Sequence, residues 1–227
     1  MQLLDYVPDF SCWEEAASWI KKGQDLVVNK SDNIASLEWK ECQEKGAFPF
    51  GLYSSKNWRK FALATFLADL VSYPTPSDQV NFDRLLFLMH AFPEGFRVWW
   101  IEQEGIWWPV GYSGWYPMLE TTFKLFEKES EKIKNRMVVP NLSTDQPKPL
   151  YLFNFSVIPS LKKSSLSRQL MKKYVEDINA QNASGLTCIT VSPEGQHVAR
   201  RFGMSLTGHV DGEGVWAVCY NSSQSKA

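Results

Sequence analysis

Three cationic side chains and three hydroxyls crowd one short stretch, Lys162-Lys163-Ser164-Ser165-Leu166-Ser167-Arg168. An apolar run from Tyr151 to Ile158 leads into it and is stopped by Pro159. Aromatic and β-branched residues bounded by a proline predict a strand. Beyond the stretch, Leu166, Leu170, Val175 and Ile178 fall near helical spacing, which predicts a helix. Ser164 or Ser165 can cap that helix. A polar, basic turn at a helix N-terminus is suited to holding an anion, because unpaired N–H groups and the helix dipole both favour negative charge there. A capped helix after a lysine-rich turn, with no ligand, is the plainer account of the same residues.

The elements around the turn are legible from periodicity. Thr187 to Val191 follows Gly185 as a second strand, and a short helix from about Glu194 to Phe202 ends at Gly203, so the turn lies inside a βαβ unit. Ser205–Val210 and Val215–Tyr220 read as a hairpin across residues 211–214, and the tail from Asn221 to Ala227 is polar and expected to fray. Upstream, Phe96 to Gln103 and Ile106 to Tyr116 alternate in hydropathy across Glu104-Gly105 and predict another hairpin. Pro109 within the return strand implies an edge or a bulge. Five of the ten tryptophans lie in this hairpin, Trp99, Trp100, Trp107, Trp108 and Trp115. Adjacent pairs must face opposite ways, so one of each pair faces away from the core face of the sheet, where contact with the N-terminal helices is expected ahead of a substrate wall.

Four helices are expected before the hairpin. The first begins at Ser11, with Glu14 completing a capping box and Phe10 as a staple, and stops at Gly23. The second runs from Asp32 or Asn33 to Lys45, the third from about Asn57 to Val71, and the fourth from Asp78 to Ala91. Their side chains read as packing rather than chemistry, with His90 the titrating group. A charged helix with an apolar stripe is expected from Leu119 to Met137, interrupted at Ser130, and residues 140–149 read as a loop.

The segment from Val157 to Leu170 resembles the acetyl-CoA signature of the GCN5-related N-acetyltransferases (GNATs). That signature is an apolar strand ending in Val-x-Pro, then Arg/Gln-x-x-Gly-x-Gly/Ala, then an amphipathic helix. Lys162 stands at the Arg/Gln position, and Ser165 and Ser167 stand at the two glycine positions. Ala199-Arg200-Arg201-Phe202-Gly203-Met204 resembles the family's later motif, and Pro109 to Tyr112 resembles the hairpin before its cofactor strand. The resemblance implies an α+β fold, with a mixed and mostly antiparallel central sheet flanked by helices. Residues 1–93 would form a helical part packed on that sheet and residues 94–227 the acyl-CoA-binding core, together one cooperative domain.

Acetyl-CoA is then the implied co-substrate, with no metal. Its pyrophosphate would lie on Lys162, Lys163, Ser164, Ser165, Leu166, Ser167 and Arg168, with the backbone near Val157 polarising the thioester carbonyl. Glu102 sits at a strand end where the family often places a carboxylate. The family's usual acid, a tyrosine, falls on Ala199 here, so Tyr116 and Ser192 are the hydroxyls to consider in its place; Tyr112 is a further candidate base. The acceptor would be an amine on a small molecule or a protein. The alternative is a catalytically silent relative that binds CoA or a protein partner through the Trp-rich surface.

Composition narrows the classes. The 227 residues are 44% hydrophobic and 14% aromatic, enough for a sizeable core, with a formal net charge of −1. Such a balance gives no general nucleic-acid or membrane footprint. The basic residues that could form a local one, Lys162, Lys163, Lys172, Lys173, Arg200 and Arg201, lie on segments other than the aromatic ones, which argues against a nucleic-acid partner. Four cysteines without close pairs and three scattered histidines offer no metal spacing, and buried thiols are expected. Without a charged-then-apolar leader or a run of roughly 20 apolar residues, a cytoplasmic protein is expected.

Overall fold

Both predicted hairpins are built on two-residue turns whose residues take positive φ. Glu104 and Gly105 stand at 54° and 75°, and Asp211 and Gly212 at 51° and 85°. Such turns match the right-handed twist of the strands they join. The computed structural model describes residues 3–26, 33–38, 56–73, 78–133, 138–143 and 147–220. Its elements are α1 (Trp13–Leu26), β1 (Ile34–Glu38), α2 (Lys56–Ser72), α3 (Phe82–Ala91), β2 (Phe96–Gln103), β3 (Ile106–Pro117) and α4 (Glu120–Lys128). They continue with β4 (Lys148–Val157), α5 (Ser165–Asn179), β5 (Ala183–Thr190), α6 (Pro193–Arg201), β6 (Ser205–Val210) and β7 (Glu213–Cys219). The sheet has seven strands in the order β1-β2-β3-β4-β5-β7-β6. β4 and β5 pair parallel, while β1–β2, β2–β3, β5–β7 and β6–β7 pair antiparallel. The expected α+β class with a mostly antiparallel sheet is therefore the observed one.

The chain forms two compact units, Met1–Gly114 with Asn154–Met171, and Trp115–Phe153 with Lys172–Ala227. In the first unit, Trp99, Ile101, Trp108 and Val110 of the hairpin pack with Val157, Ile158, Leu161, Leu166 and Leu170. Trp19 and Leu26 of α1 and Val71 of α2 lie against this cluster, and the Trp19 and Trp108 rings are 4.6 Å apart. α1 and α2 thus lend these side chains to the cluster that holds Trp99 and Trp108. Pro109 sits opposite Trp100 at a bulge, where Trp99 pairs with Gly111 and Val110 is the extra residue. Gly111 lies so close to the Ser156 carbonyl that any Cβ would collide with it.

In the second unit, Phe123 and Phe126 of α4 are buried, and the Phe123 ring occupies the space where Gly185 would carry a Cβ. Trp216 donates its indole N–H to Thr190 Oγ1 at 3.0 Å, while the Arg200 guanidinium lies 5.0 Å above its ring. Gly203, at φ 75°, closes α6 with its own N–H on Arg200 and that of Met204 on Ala199. That pairing is the usual glycine-terminated helix end.

Five local readings are corrected. Residues 34–38 form a strand antiparallel to β2 instead of entering a helix, because the open edge of β2 offers them a full ladder; residues 39–45 of that expected helix lie outside the described ones. α1 runs through Gly23 to Leu26, since Gly23 serves the close approach of the Trp108 ring and not a helix stop. Its cap also differs: Ser11 donates N–H and Oγ–H to Glu15, at 2.9 and 2.8 Å, and not to Glu14. α4 ends at Lys128, and Ser130, buried, turns its hydroxyl to the Thr207 carbonyl at 2.8 Å; residues 134–137 are not described. α3 starts at Phe82, where Asn81 caps it by accepting the Arg84 N–H. Cys188 is buried as expected, whereas Cys12 and Cys219 are exposed; Cys42 and the tail from residue 221 are outside the described residues. Among those residues no helix is long and apolar enough to cross a membrane.

Candidate functional site

The basic turn joins β4 to α5. After Val157, Pro159–Leu161 makes one 3-10 turn, closed by the Lys162 N–H on the Pro159 carbonyl at 3.2 Å. Lys163 then takes φ 66°, in the left-handed region. Ser164 caps α5: its Oγ accepts the Ser167 N–H at 3.1 Å, and its carbonyl accepts the Ser167 hydroxyl at 2.9 Å. The amides of Ser165 and Leu166, in the first turn, are those a helix leaves without an intrahelical partner. Lys162, Lys163 and Arg168 are exposed around them.

This geometry answers the question posed by serines at the two glycine positions. Ser165 and Ser167 lie within α5, where serine adopts the backbone freely. The residue that needs left-handed backbone is Lys163, two positions earlier. Without a side chain penalty at Ser165 or Ser167, the turn keeps its amides in place and adds hydroxyls beside them. These residues fit a pyrophosphate: unpaired N–H donors, hydroxyls and three cations stand within one turn. On the other side of β4, the parallel ladder with β5 covers only Lys148 to Tyr151.

The residues named for proton transfer are placed separately. Glu102, partly exposed near the end of β2, accepts the Asn33 side-chain N–H at 2.6 Å, and its backbone N–H reaches the Asn33 carbonyl at 3.2 Å. It belongs to the same unit as the turn. Tyr116 and Ser192 belong to the other unit. Tyr116 is fully buried, donates its hydroxyl to the Val138 carbonyl at 3.0 Å and packs its ring 5.3 Å from Tyr151. Ser192 caps α6, its Oγ accepting the Gly195 N–H at 3.1 Å. Among the described residues the Ser192 hydroxyl proton has no acceptor.

A buried polar cluster in the first unit escaped the sequence reading. Asp69, on α2, has no exposed surface. Its Oδ1 accepts the Tyr112 hydroxyl at 2.8 Å and an Asn154 N–H at 3.1 Å, and its Oδ2 accepts the Val80 N–H at 2.8 Å. Asn154 donates its other N–H to the Tyr112 oxygen at 2.6 Å, and its Oδ1 accepts the Tyr73 hydroxyl at 2.7 Å. Burial pushes the Asp69 carboxyl up to about 6, against the lowering effect of the three donors. Burial and the nearby Asp69 charge likewise hold Tyr112 and Tyr73 well above the usual phenol range. α2 therefore carries a buried polar network as well as apolar packing. Its only sequence signal is one acidic residue in an otherwise apolar stretch.

No family model matches the chain, and no curated protein is similar to it in sequence. Solved structures are similar in fold. The NatC complex bound to Gag peptide and CoA matches over 83% of this chain and 99% of that one, at 8% identity and a TM-score of 0.50. Naa50 of Arabidopsis thaliana, in complex with the bisubstrate analogue CoA-Ac-MVNAL, matches over 82% and 99% of the two chains, at 13% identity and a TM-score of 0.47. GphF, a GNAT-like decarboxylase in complex with isobutyryl-CoA, matches over 82% and 98%, at 15% identity and a TM-score of 0.48. At such identities the likeness concerns the fold, and the fold is that of the GCN5-related N-acetyltransferases, in a divergent form.

Proposed function

We propose that this chain binds acetyl-CoA on the turn from Val157 to Arg168 and transfers the acetyl group to an amine. The observation that supports the reading is the turn itself: the left-handed Lys163 and the Ser164 cap lead into the first-turn amides of Ser165 and Leu166, and Lys162, Lys163 and Arg168 are exposed in the same stretch. Backbone donors at a helix N-terminus complement a pyrophosphate. CoA supplies the activated acyl group as a thioester. Within this reading Glu102 receives the proton of the attacking amine. Of the two hydroxyls we assign the departing thiolate to Ser192, because among the described residues its proton has no acceptor, while that of Tyr116 already serves Val138. A thiol leaves with a pKa near 8.5, so general acid help of about 10²–10⁴-fold is an aid and not a requirement. The solved NatC and Naa50 structures hold peptide-derived ligands, which supports a peptide or protein amine as acceptor beside small amines.

Isothermal titration with CoA tests the turn. Lys162→Glu with Lys163→Glu, both exposed, should weaken CoA by more than about tenfold, or about 1.4 kcal/mol, with the melting curve unchanged. Wild-type affinity in that variant would remove the turn from the site. Ser192→Ala should lower transfer more than CoA affinity; equal losses would leave it a cap alone. A second reading, CoA binding without transfer, is favoured by Ala199 at the usual tyrosine position and by the committed Tyr116 hydroxyl. Tight CoA binding with no transfer to a broad amine panel would establish it.

A further inference from the structure

The strand that leads into the basic turn outruns its parallel partner. β4 pairs with β5 only from Lys148 to Tyr151, yet it continues to Val157. In that last stretch Asn154 commits its whole side-chain amide. One N–H goes to Asp69 Oδ1 at 3.1 Å and the other to the Tyr112 oxygen at 2.6 Å, while its own oxygen accepts the Tyr73 hydroxyl at 2.7 Å. Asp69 lies on α2, Tyr73 directly follows α2, and Tyr112 lies on β3. Asp69 is fixed in turn by the Tyr112 hydroxyl and the Val80 N–H. Asp69 and Tyr112 have no exposed surface. A buried polar network with its members bonded is rigid, because a rotation leaves a polar group unpaired. Just beyond, the Ile158 N–H meets the Val110 carbonyl at 2.9 Å, and Gly111 lies against the Ser156 carbonyl. Val157 therefore stands between a side-chain anchor at Asn154 and a backbone anchor at Ile158.

We infer that Asn154 is a positioning residue for the reactive end of the acyl donor: bonded to Asp69, Tyr112 and Tyr73, it sets the path of the β4 backbone at Val157 without touching the donor. The inference rests on the CoA reading and divides that site into two parts with separate supports. The turn holds the nucleotide end, and its shape depends on Lys163 and the Ser164 cap. The backbone near Val157 meets the thioester, and its place depends on the network. A displacement of about 1 Å at a reacting group costs on the order of 10²-fold in rate, so an anchor this close matters. The position also calls for an amide. A carboxylate at 154 would face Asp69 with like charge. An apolar side chain would leave Asp69, Tyr112 and Tyr73 each one bond short.

The test is isothermal titration of the full chain with two probes, acetyl-CoA and phosphoadenosine diphosphate, the half of CoA that carries the pyrophosphate without pantetheine or thioester. Asn154→Leu, of similar volume, should weaken acetyl-CoA by about tenfold or more and the nucleotide probe by less than about twofold. Tyr73→Phe removes one bond and keeps the ring, and it should move the ratio of the two affinities the same way by about threefold. Asp69→Asn with Asn154→Asp exchanges amide and carboxylate, and should bring acetyl-CoA back to within about threefold of the wild type. A network that serves the fold alone predicts equal losses for both probes, and equal losses in folded Asn154→Leu or Tyr73→Phe would overturn the inference. Wild-type affinity for acetyl-CoA in Asn154→Leu would overturn it as well. If the wild type binds neither probe, the turn is not a CoA site and both readings fall; if it binds both and the ratio stays fixed across the variants, this inference alone falls.

Discussion

Asp69 is the residue on which the pH behaviour turns. Its carboxyl titrates near 6 in the fold, where an unfolded aspartate titrates near 3.9. Between these values the native state holds the additional proton. Stability from this group is therefore fully present below about pH 4 and lost as the pH rises through about 6. Two units of difference correspond to roughly 3 kcal/mol. Asp69→Asn carries no such titration, so its melting temperature should gain on that of the wild type as the pH goes from 4 to 7. Thermal melts followed by circular dichroism read this directly, and parallel pH slopes for the two proteins would contradict it. Nothing near Asp69 in sequence announces the cluster. Tyr112 is 43 residues away and Asn154 is 85, so only the folded chain brings them together.

At the scale of elements, the turn between β4 and α5 makes a paired prediction. Lys163 in the left-handed region costs about 1–2 kcal/mol, a strain glycine does not feel. Ser165 and Ser167 lie in helix, where glycine is worse by roughly 0.5–1 kcal/mol than a residue with a side chain. Lys163→Gly should therefore raise the urea midpoint and Ser165→Gly with Ser167→Gly should lower it, although the latter pair restores the residues the family signature calls for. The same turn shows what was legible. Strand, basic turn and helix followed from alternation, a proline and a serine cap, and the two hairpins from their Glu-Gly and Asp-Gly turns. The position of the left-handed residue did not follow, because the serines matched glycine positions in register while the backbone turns earlier. β1 was missed for another reason: a five-residue strand has little pattern of its own, and its partner β2 lies far along the chain. Gly23 read as a stop because glycine usually ends helices, whereas here the Trp108 ring from outside the helix requires it.

For the whole molecule, the N-terminal helices are part of what keeps the hairpin covered. Trp19, Leu26 and Val71 lie on the cluster that contains Trp99 and Trp108. Removing residues 1–93 would expose that apolar surface, and patches of this kind drive aggregation. The shortened chain should be insoluble or melt without a cooperative transition, as judged by scanning calorimetry; a soluble product with a sharp transition would show that the sheet needs no such cover. The first unit is also discontinuous, drawing on Met1–Gly114 and then on Asn154–Met171. A ribosome adding roughly 5–20 residues per second finishes the earlier piece several seconds before the later one. In that interval Gly111 has no Ser156 beside it, and Asp69 and Tyr112 wait without Asn154. The nascent chain therefore presents its tryptophan strands unfinished during synthesis, and it is in this window that a chaperone would have most to bind.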